Sequence, residues 1–146
     1  MSTLLTQVQY TLETALSNND VIYTTNTSYN YDRFLEFLNN VNSGKPDKIR
    51  IVYYGFEGQI LISILQYDGN IIRITFDATR NQTSETYDSF YGYQIISQVH
   101  QRAGLYTTIF YLSNIKYKFP QQNAPIRNIL TSAPNQFICS IKHTFQ

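Results

Sequence analysis

The sequence predicts an α+β domain in which one main helix packs on a curved antiparallel meander sheet of about five strands. An N-terminal helix and a C-terminal strand extend that unit. Three observations lead there: one strongly amphipathic helical stripe, a run of alternating strand segments behind it, and an Asp-Gly pair between two of those segments. The length of 146 residues suits a single core, and 42% hydrophobic against 14% charged residues marks a globular chain. We divide it into an N-terminal amphipathic segment (1–18), a core (19–113) and a C-terminal extension (114–146), together one domain.

Leu4, Leu5, Val8, Leu12, Ala15 and Leu16 fall on one helical face, with Asn18-Asn19 as the stop. Val21-Ile22-Tyr23 is a short extended segment. The main helix follows: Asn30 stands at the cap, Asp32 lies in the first turn where the helix dipole favours an anion, and Gly44 lies past the end. Its Phe34, Phe37, Leu38 and Val41 form one apolar stripe that needs a sheet beneath it. Strands are expected at 49–54, 59–67 and 70–77, then at 92–101, 105–113 and 136–143. A polar loop is expected at 78–91 and a helical turn at 126–130.

Asp68-Gly69 favours a two-residue hairpin turn, because such a turn needs positive φ at both central residues. That register sets Tyr67 against Asn70, Leu65 against Ile72, Ser63 against Ile74 and Leu61 against Phe76, an apolar face for the main helix. The reverse face then pairs Ile64 with Arg73, Ile62 with Thr75 and Ile60 with Asp77. Burying an isoleucine is worth ~1.5–3 kcal/mol, so Ile60, Ile62 and Ile64 require a cover. The cover is either the 4–16 helix or 136–143 strand, or else a subunit or ligand interface rimmed by Arg73 and Asp77.

Candidate chemistry is sparse. No nucleophile elbow, phosphate loop, dinucleotide fingerprint, paired-cysteine motif or HExxH is present. One cysteine excludes an internal disulfide, and Cys139 with His143 supplies too few ligands for a structural zinc site. Asp77-Ala78-Thr79-Arg80 closes a strand, and an Asp with an Arg there suits a phosphate, carboxylate or ribose. Equally, Asp77 can cap the loop backbone. Glu57, Asp77 and His100 form an acid–base set only if the fold brings them together. Ile115-Lys116-Tyr117-Lys118-Phe119 alternates basic and aromatic residues, as an edge strand guarded by lysines does and as a single-strand-binding surface does. Asn26-Thr27-Ser28 and Asn81-Gln82-Thr83 match glycosylation acceptors without a secretory leader before them. With a net charge of +1, binding through phosphate neutralisation is disfavoured.

Phe34-Leu35-Glu36-Phe37-Leu38-Asn39-Asn40-Val41, Asp47-Lys48-Ile49-Arg50-Ile51, Tyr53 with Glu57-Gly58, Tyr67-Asp68-Gly69 and Asp77-Ala78-Thr79-Arg80 occur in an order and spacing that resembles a known family. That family comprises small uncharacterised bacterial domains, mainly from Bacillus-type organisms, and the resemblance covers residues 19–80. It implies a fold but no activity. Among the matching positions Arg50, Glu57, Asp77 and Arg80 are those with a chemistry beyond structure. Family members often follow a lipoprotein-type leader, whereas this chain opens with the amphipathic 4–16 segment, so a cytoplasmic placement is expected.

The function expected from these readings is a non-catalytic binding or sequestering protein, such as a cytoplasmic regulator or a phage-encoded inhibitor of a host system. Its tentative ligand residues are Arg50, Glu57, Arg73, Asp77 and Arg80, and its interface residues are Ile60, Ile62 and Ile64. A small enzyme using Asp77, Arg80 and His100 on a nucleotide-like ligand is the first alternative. Weak nucleic-acid binding through Arg50, Arg73, Lys116 and Lys118 is the second. The partner is expected to be a protein, a small molecule or a second copy of the chain, with no membrane, metal or cofactor.

Overall fold

The computed structural model describes residues 10–77, 89–116 and 135–144. In chain order they form α1 (Leu12–Ser17), β1 (Val21–Thr24), β2 (Ser28–Tyr29), α2 (Tyr31–Asn42), β3 (Asp47–Tyr54), β4 (Ile60–Tyr67), β5 (Ile72–Asp77), β6 (Ser89–Gly92), β7 (Gln94–Arg102), β8 (Leu105–Ser113) and β9 (Asn135–Thr144). The expected helical turn at 126–130 and residues 4–9 of the expected first helix lie outside the described residues.

The expected architecture of one main helix on one antiparallel meander is overturned. The described residues are mostly sheet, with a six-stranded mixed sheet in the order β2-β1-β3-β4-β5-β6 and a separate three-stranded sheet, β7-β8-β9. The mixing arises because β1 runs parallel to β3, Val21 beside Ile51 and Tyr23 beside Tyr53. Parallel neighbours cannot be joined by a hairpin, and here α2 supplies the crossover. The split arises at Gly92-Tyr93, where β6 ends its pairing with β5 and the chain enters β7. There the Tyr93 amide donates to the Ser113 carbonyl at 2.8 Å. A Cβ at Gly92 would stand 2.6 Å from Leu112 carbons and 2.7 Å from the Ser113 oxygen, so only glycine permits this approach.

The hairpin register is also corrected. The loop between β4 and β5 holds four residues, so Tyr67 faces Ile72, Leu65 faces Ile74, Ile64 faces Thr75 and Ile62 faces Asp77. The Asp68 carboxylate accepts from the Ile71 and Asn70 amides, each at 2.8 Å, and these bonds hold it below its ordinary pKa. Of the two residues 68 and 69, only Gly69 takes positive φ, at 100°. The shift is two residues, so every side chain stays on its expected face.

One core fills the space on the α2 side of the large sheet. Phe34, Phe37 and Val41 of α2 meet Ile49, Ile51, Leu65, Ile72 and Ile74 beneath them, and Phe110, Leu112, Cys139 and Ile141 of the small sheet join the same cluster. Phe34 and Phe110 touch edge-to-face with centroids 4.7 Å apart. The reverse face has its own cover: Ala15 of α1, with Tyr10, lies on Ile22, Val52 and Ile62. Ile62 is therefore buried within the chain, with Ile60 and Ile64 half-buried beside it. The N-terminal segment thus covers Ile62 and packs beside Ile60, while Ile64 lines the open groove beside Arg50.

Helix boundaries follow local chemistry. The Thr11 hydroxyl caps α1 by accepting from the Thr14 amide at 3.2 Å. At the start of α2, Asn30 sits at φ 60° and makes no side-chain cap bond, contrary to expectation. Its amide instead donates to the Asp20 carbonyl at 2.8 Å and ties the helix entry to the start of β1.

Candidate functional site

The expected ligand residues do not converge. Arg50 projects on the reverse face of β3, where its Nε donates to both carboxylate oxygens of Asp20 at 3.0 and 3.1 Å. Asp20 is 4% exposed and also accepts from the Tyr10 hydroxyl, which takes a further bond from the Asn18 amide at 3.0 Å. The Arg50 guanidinium lies over the Tyr10 ring, 5.2 Å from its centroid. Arg50 thus anchors the N-terminal segment. Glu57 stands exposed on the β3–β4 turn beside Phe56, which is 85% exposed. Arg73 is exposed on the reverse face and donates to Gln66 on β4 at 3.1 Å. Asp77 closes β5, half-buried, opposite Ile62. Arg80 lies outside the described residues, as do Lys118 and the acceptor site at Asn81.

Besides a groove of ≈ 380 Å³ lined by Val41, Tyr67, Tyr93 and Lys116 among others, three open grooves among the described residues remain as candidates. The first, ≈ 380 Å³, lies where β3 runs past the start of β1 and is lined by Asn18, Asp20, Arg33, Lys48, Arg50 and Ile64 among others. Its two arginines are engaged: Arg50 with Asp20, and Arg33 with Asp47 through two bonds of 3.0 and 2.7 Å. Asn40 adds a 2.8 Å bond to the same carboxylate. The Arg33 guanidinium, chiefly, holds the Asp47 carboxyl down to about 2. This cleft is built as a pair of structural clamps.

The second groove, ≈ 350 Å³, opens between the two sheets and is mostly apolar. Tyr23, Tyr53 and Leu61 line one wall; Phe137, Ser140 and Lys142 of β9 line the other. The Tyr23 and Tyr53 rings lie 4.9 Å apart. Burial pushes the Tyr23 phenol up, so it stays neutral. Leu61 and Phe137 are 44% and 39% exposed, large apolar surfaces left facing solvent.

The third groove, ≈ 650 Å³, runs over the outer face of the small sheet. His100, Arg102, Leu105, Thr107, Ile109 and Lys142 line it. Pairing sets His100 beside Thr107 and Thr107 beside Lys142, one row across three strands. Asp77 and Glu57 are absent from this lining, so the acid–base set is not assembled around His100. Lys142 borders both the second and third grooves and joins them into one surface. Arg102 and Lys142 escaped the reading of the sequence, although their distribution was visible in it: every acidic residue falls at or before Asp88.

Among the described residues no three His, Cys, Asp or Glu side chains gather as a metal site, and no helix is long and apolar enough to cross a membrane. Cys139 is fully buried, and burial pushes its thiol up, away from reactivity.

No curated protein and no solved structure matches the chain. Residues 18–101 match the family described as Domain of unknown function (DUF4362), a span that runs from the end of α1 into β7. With more than half of its length matched, the chain belongs to the DUF4362 family.

Proposed function

We propose that the chain is a non-catalytic binding protein that acts by occupying a partner or ligand, with the joined second and third grooves as its contact surface. The observation that carries this reading is the apolar surface left open between the sheets: exposed Leu61 and Phe137, with half-buried Tyr53 and buried Tyr23 behind them, around one lysine. Contiguous exposed apolar surface is costly to keep in water, and tyrosine offers contact area with little entropy to lose. The enzymatic alternative has less support, since Asp77 and His100 do not share a groove. A regulator or inhibitor working by contact in the cytoplasm is the setting that goes with this reading.

The test is site-specific photo-crosslinking in cells. A photoreactive side chain at Leu61 is expected to give discrete adducts that vanish with Phe137→Glu. The same group at Leu35, equally exposed on α2, is expected to give none. Identical patterns from both positions, or none from position 61, would remove the groove as a contact surface.

A further inference from the structure

We propose that the outer face of the three-stranded sheet binds single-stranded nucleic acid, phosphates along His100, Arg102 and Lys142 and bases on Phe137 and its aromatic neighbours. This rests on the binding-protein reading above and names the ligand class of that surface.

The first support is charge segregation. A net charge of +1 hides an uneven chain: all ten Asp and Glu lie at or before Asp88, while residues 89–146 carry five of the eleven Lys and Arg and no acid. A phosphate responds to the field within a Debye length, ~8–10 Å at physiological salt, and not to the total. Among the described residues no acidic side chain lines either groove that Lys142 borders.

The second support is register. Side chains on one face of a sheet recur every two residues, so Gln98 and His100 of β7, Thr107, Ile109 and Tyr111 of β8, and Ser140 and Lys142 of β9 share the outer face. A bulge in the β8–β9 pairing falls between Phe110 and Tyr111 and brings Phe137 opposite Tyr111. Without that extra residue, Phe137 would turn toward the core. The two rings meet edge-to-face at 6.3 Å. Cations and aromatic rings therefore stand at opposite ends of one face. They are separated by about 16 Å at ~3.3 Å per residue, with Gln98 and Ser140 as hydrogen-bond groups between them.

The third support is the kind of polyanion this arrangement suits. An acidic peptide would engage the cations and leave the rings unused. A duplex would present phosphates but keep its bases stacked on one another. A single strand offers both at once, and aromatic stacking with a cationic track is how sequence-tolerant single-strand binding works. Of the basic residues expected to serve in such a role, Arg50 and Arg73 lie on the far face of the other sheet, Lys116 lies over the Tyr93 ring in a separate groove beside Val41 and Tyr67, and Lys118 is outside the described residues.

Fluorescence anisotropy with labelled dT12, U12 and a 12-base-pair duplex tests the proposal at 50 and 200 mM KCl. Single strands are expected to bind, with affinity falling steeply as salt rises. Arg102→Glu with Lys142→Glu is expected to weaken binding tenfold or more, and Phe137→Ala by about fivefold or more. Arg73→Glu, a control on the reverse face, is expected to change nothing, and thermal melting confirms that each variant is folded. The proposal is overturned if no strand binds at 50 mM KCl, if the duplex binds as tightly as dT12, or if Phe137→Ala is without effect. It is equally overturned if uridine monophosphate binds as tightly as U12. Should the oligonucleotides fail while the crosslinker at position 61 still yields its adducts, the nucleic-acid assignment falls and the binding-protein reading stands.

Discussion

Asp47 shows how much one carboxylate can contribute here. Its partners are Arg33 in a two-bond clamp, Asn40, and the Lys48 amide at 2.7 Å, and its side chain is only 12% exposed. The folded-state pKa lies at about 2 against an ordinary 3.8. A depressed carboxylate stabilises the fold fully above its unfolded pKa, and that stability is lost as pH falls through the folded value. The difference corresponds to about 2 kcal/mol. Asp47→Asn is expected to lower neutral-pH stability by about that amount and to flatten the decline between about pH 4 and 2, as read by urea melts across that range. Equal acid slopes in the two proteins would show that the clamp contributes nothing. Among single residues, the sequence suggests Arg50 as a ligand residue, whereas its described contacts are with Asp20 and Tyr10. Its true partner, Asp20, lies 30 residues away, and no local spacing rule links the two. The charges around Arg102 and Lys142 were legible, because their distribution along the chain requires no structure, and totalling the charge concealed them.

At the scale of elements, the tether of α1 is the clearest case of a small unit held by a few specific contacts. α1 has six residues, too short to be stable alone, and leaves Leu12 and Leu16 partly exposed. Ala15 on the sheet and the Tyr10–Asp20–Arg50 cluster hold it down. Arg50→Ala is expected to speed amide hydrogen exchange in α1 at least tenfold while leaving β4 protected, and Arg73→Ala to leave exchange in both unchanged. Uniform acceleration throughout the large sheet would place Arg50 in the global fold instead. The second test at this scale concerns the hinge between sheets. Gly92→Ala must push into buried Leu112 and the Ser113 carbonyl, which cannot give way cheaply, and overpacking of that kind costs ~1–3 kcal/mol. Gly55, whose added Cβ would meet chiefly the flexible end of the Gln59 side chain, is the comparison, and alanine there is expected to cost less. Equal losses of thermal stability would mean that the close approach is not tight in solution. Most of the strands were legible, since alternation and turn residues are local, but β2 was not and β6 falls largely in the stretch expected as the 78–91 polar loop. The parallel β1–β3 pair and the departure of β7 were not legible either. An alternating strand records which of its faces is buried, and carries no record of which neighbour buries it.

The whole molecule poses one question that both sheets answer together: whether the DUF4362 span and the strands beyond it form one cooperative unit. The family match ends at Gln101, and β8 and β9 lie outside it. The core does not respect that boundary. Phe110, Leu112, Ile138, Cys139 and Ile141 sit in the same buried cluster as Phe34, Leu65 and Ile74. Stripping β8 and β9 away would expose both the underside of the small sheet and the Phe34 end of α2, so neither half retains a closed core. The expected consequence is a single transition in denaturant, with tyrosine fluorescence and far-ultraviolet circular dichroism coinciding. Leu65→Ala in β4 and Ile141→Ala in β9, both fully buried, are expected to shift that one transition by ~2–5 kcal/mol each. Were the small sheet an appendage, Ile141→Ala would instead create an early, separate transition and leave the midpoint of the large sheet where it was. A single transition on which both probes agree, in the parent and in each shifted variant, would join the basic outer face rigidly to the apolar groove, so that Lys142 can serve both at once. Two transitions would leave that joint surface without a fixed geometry.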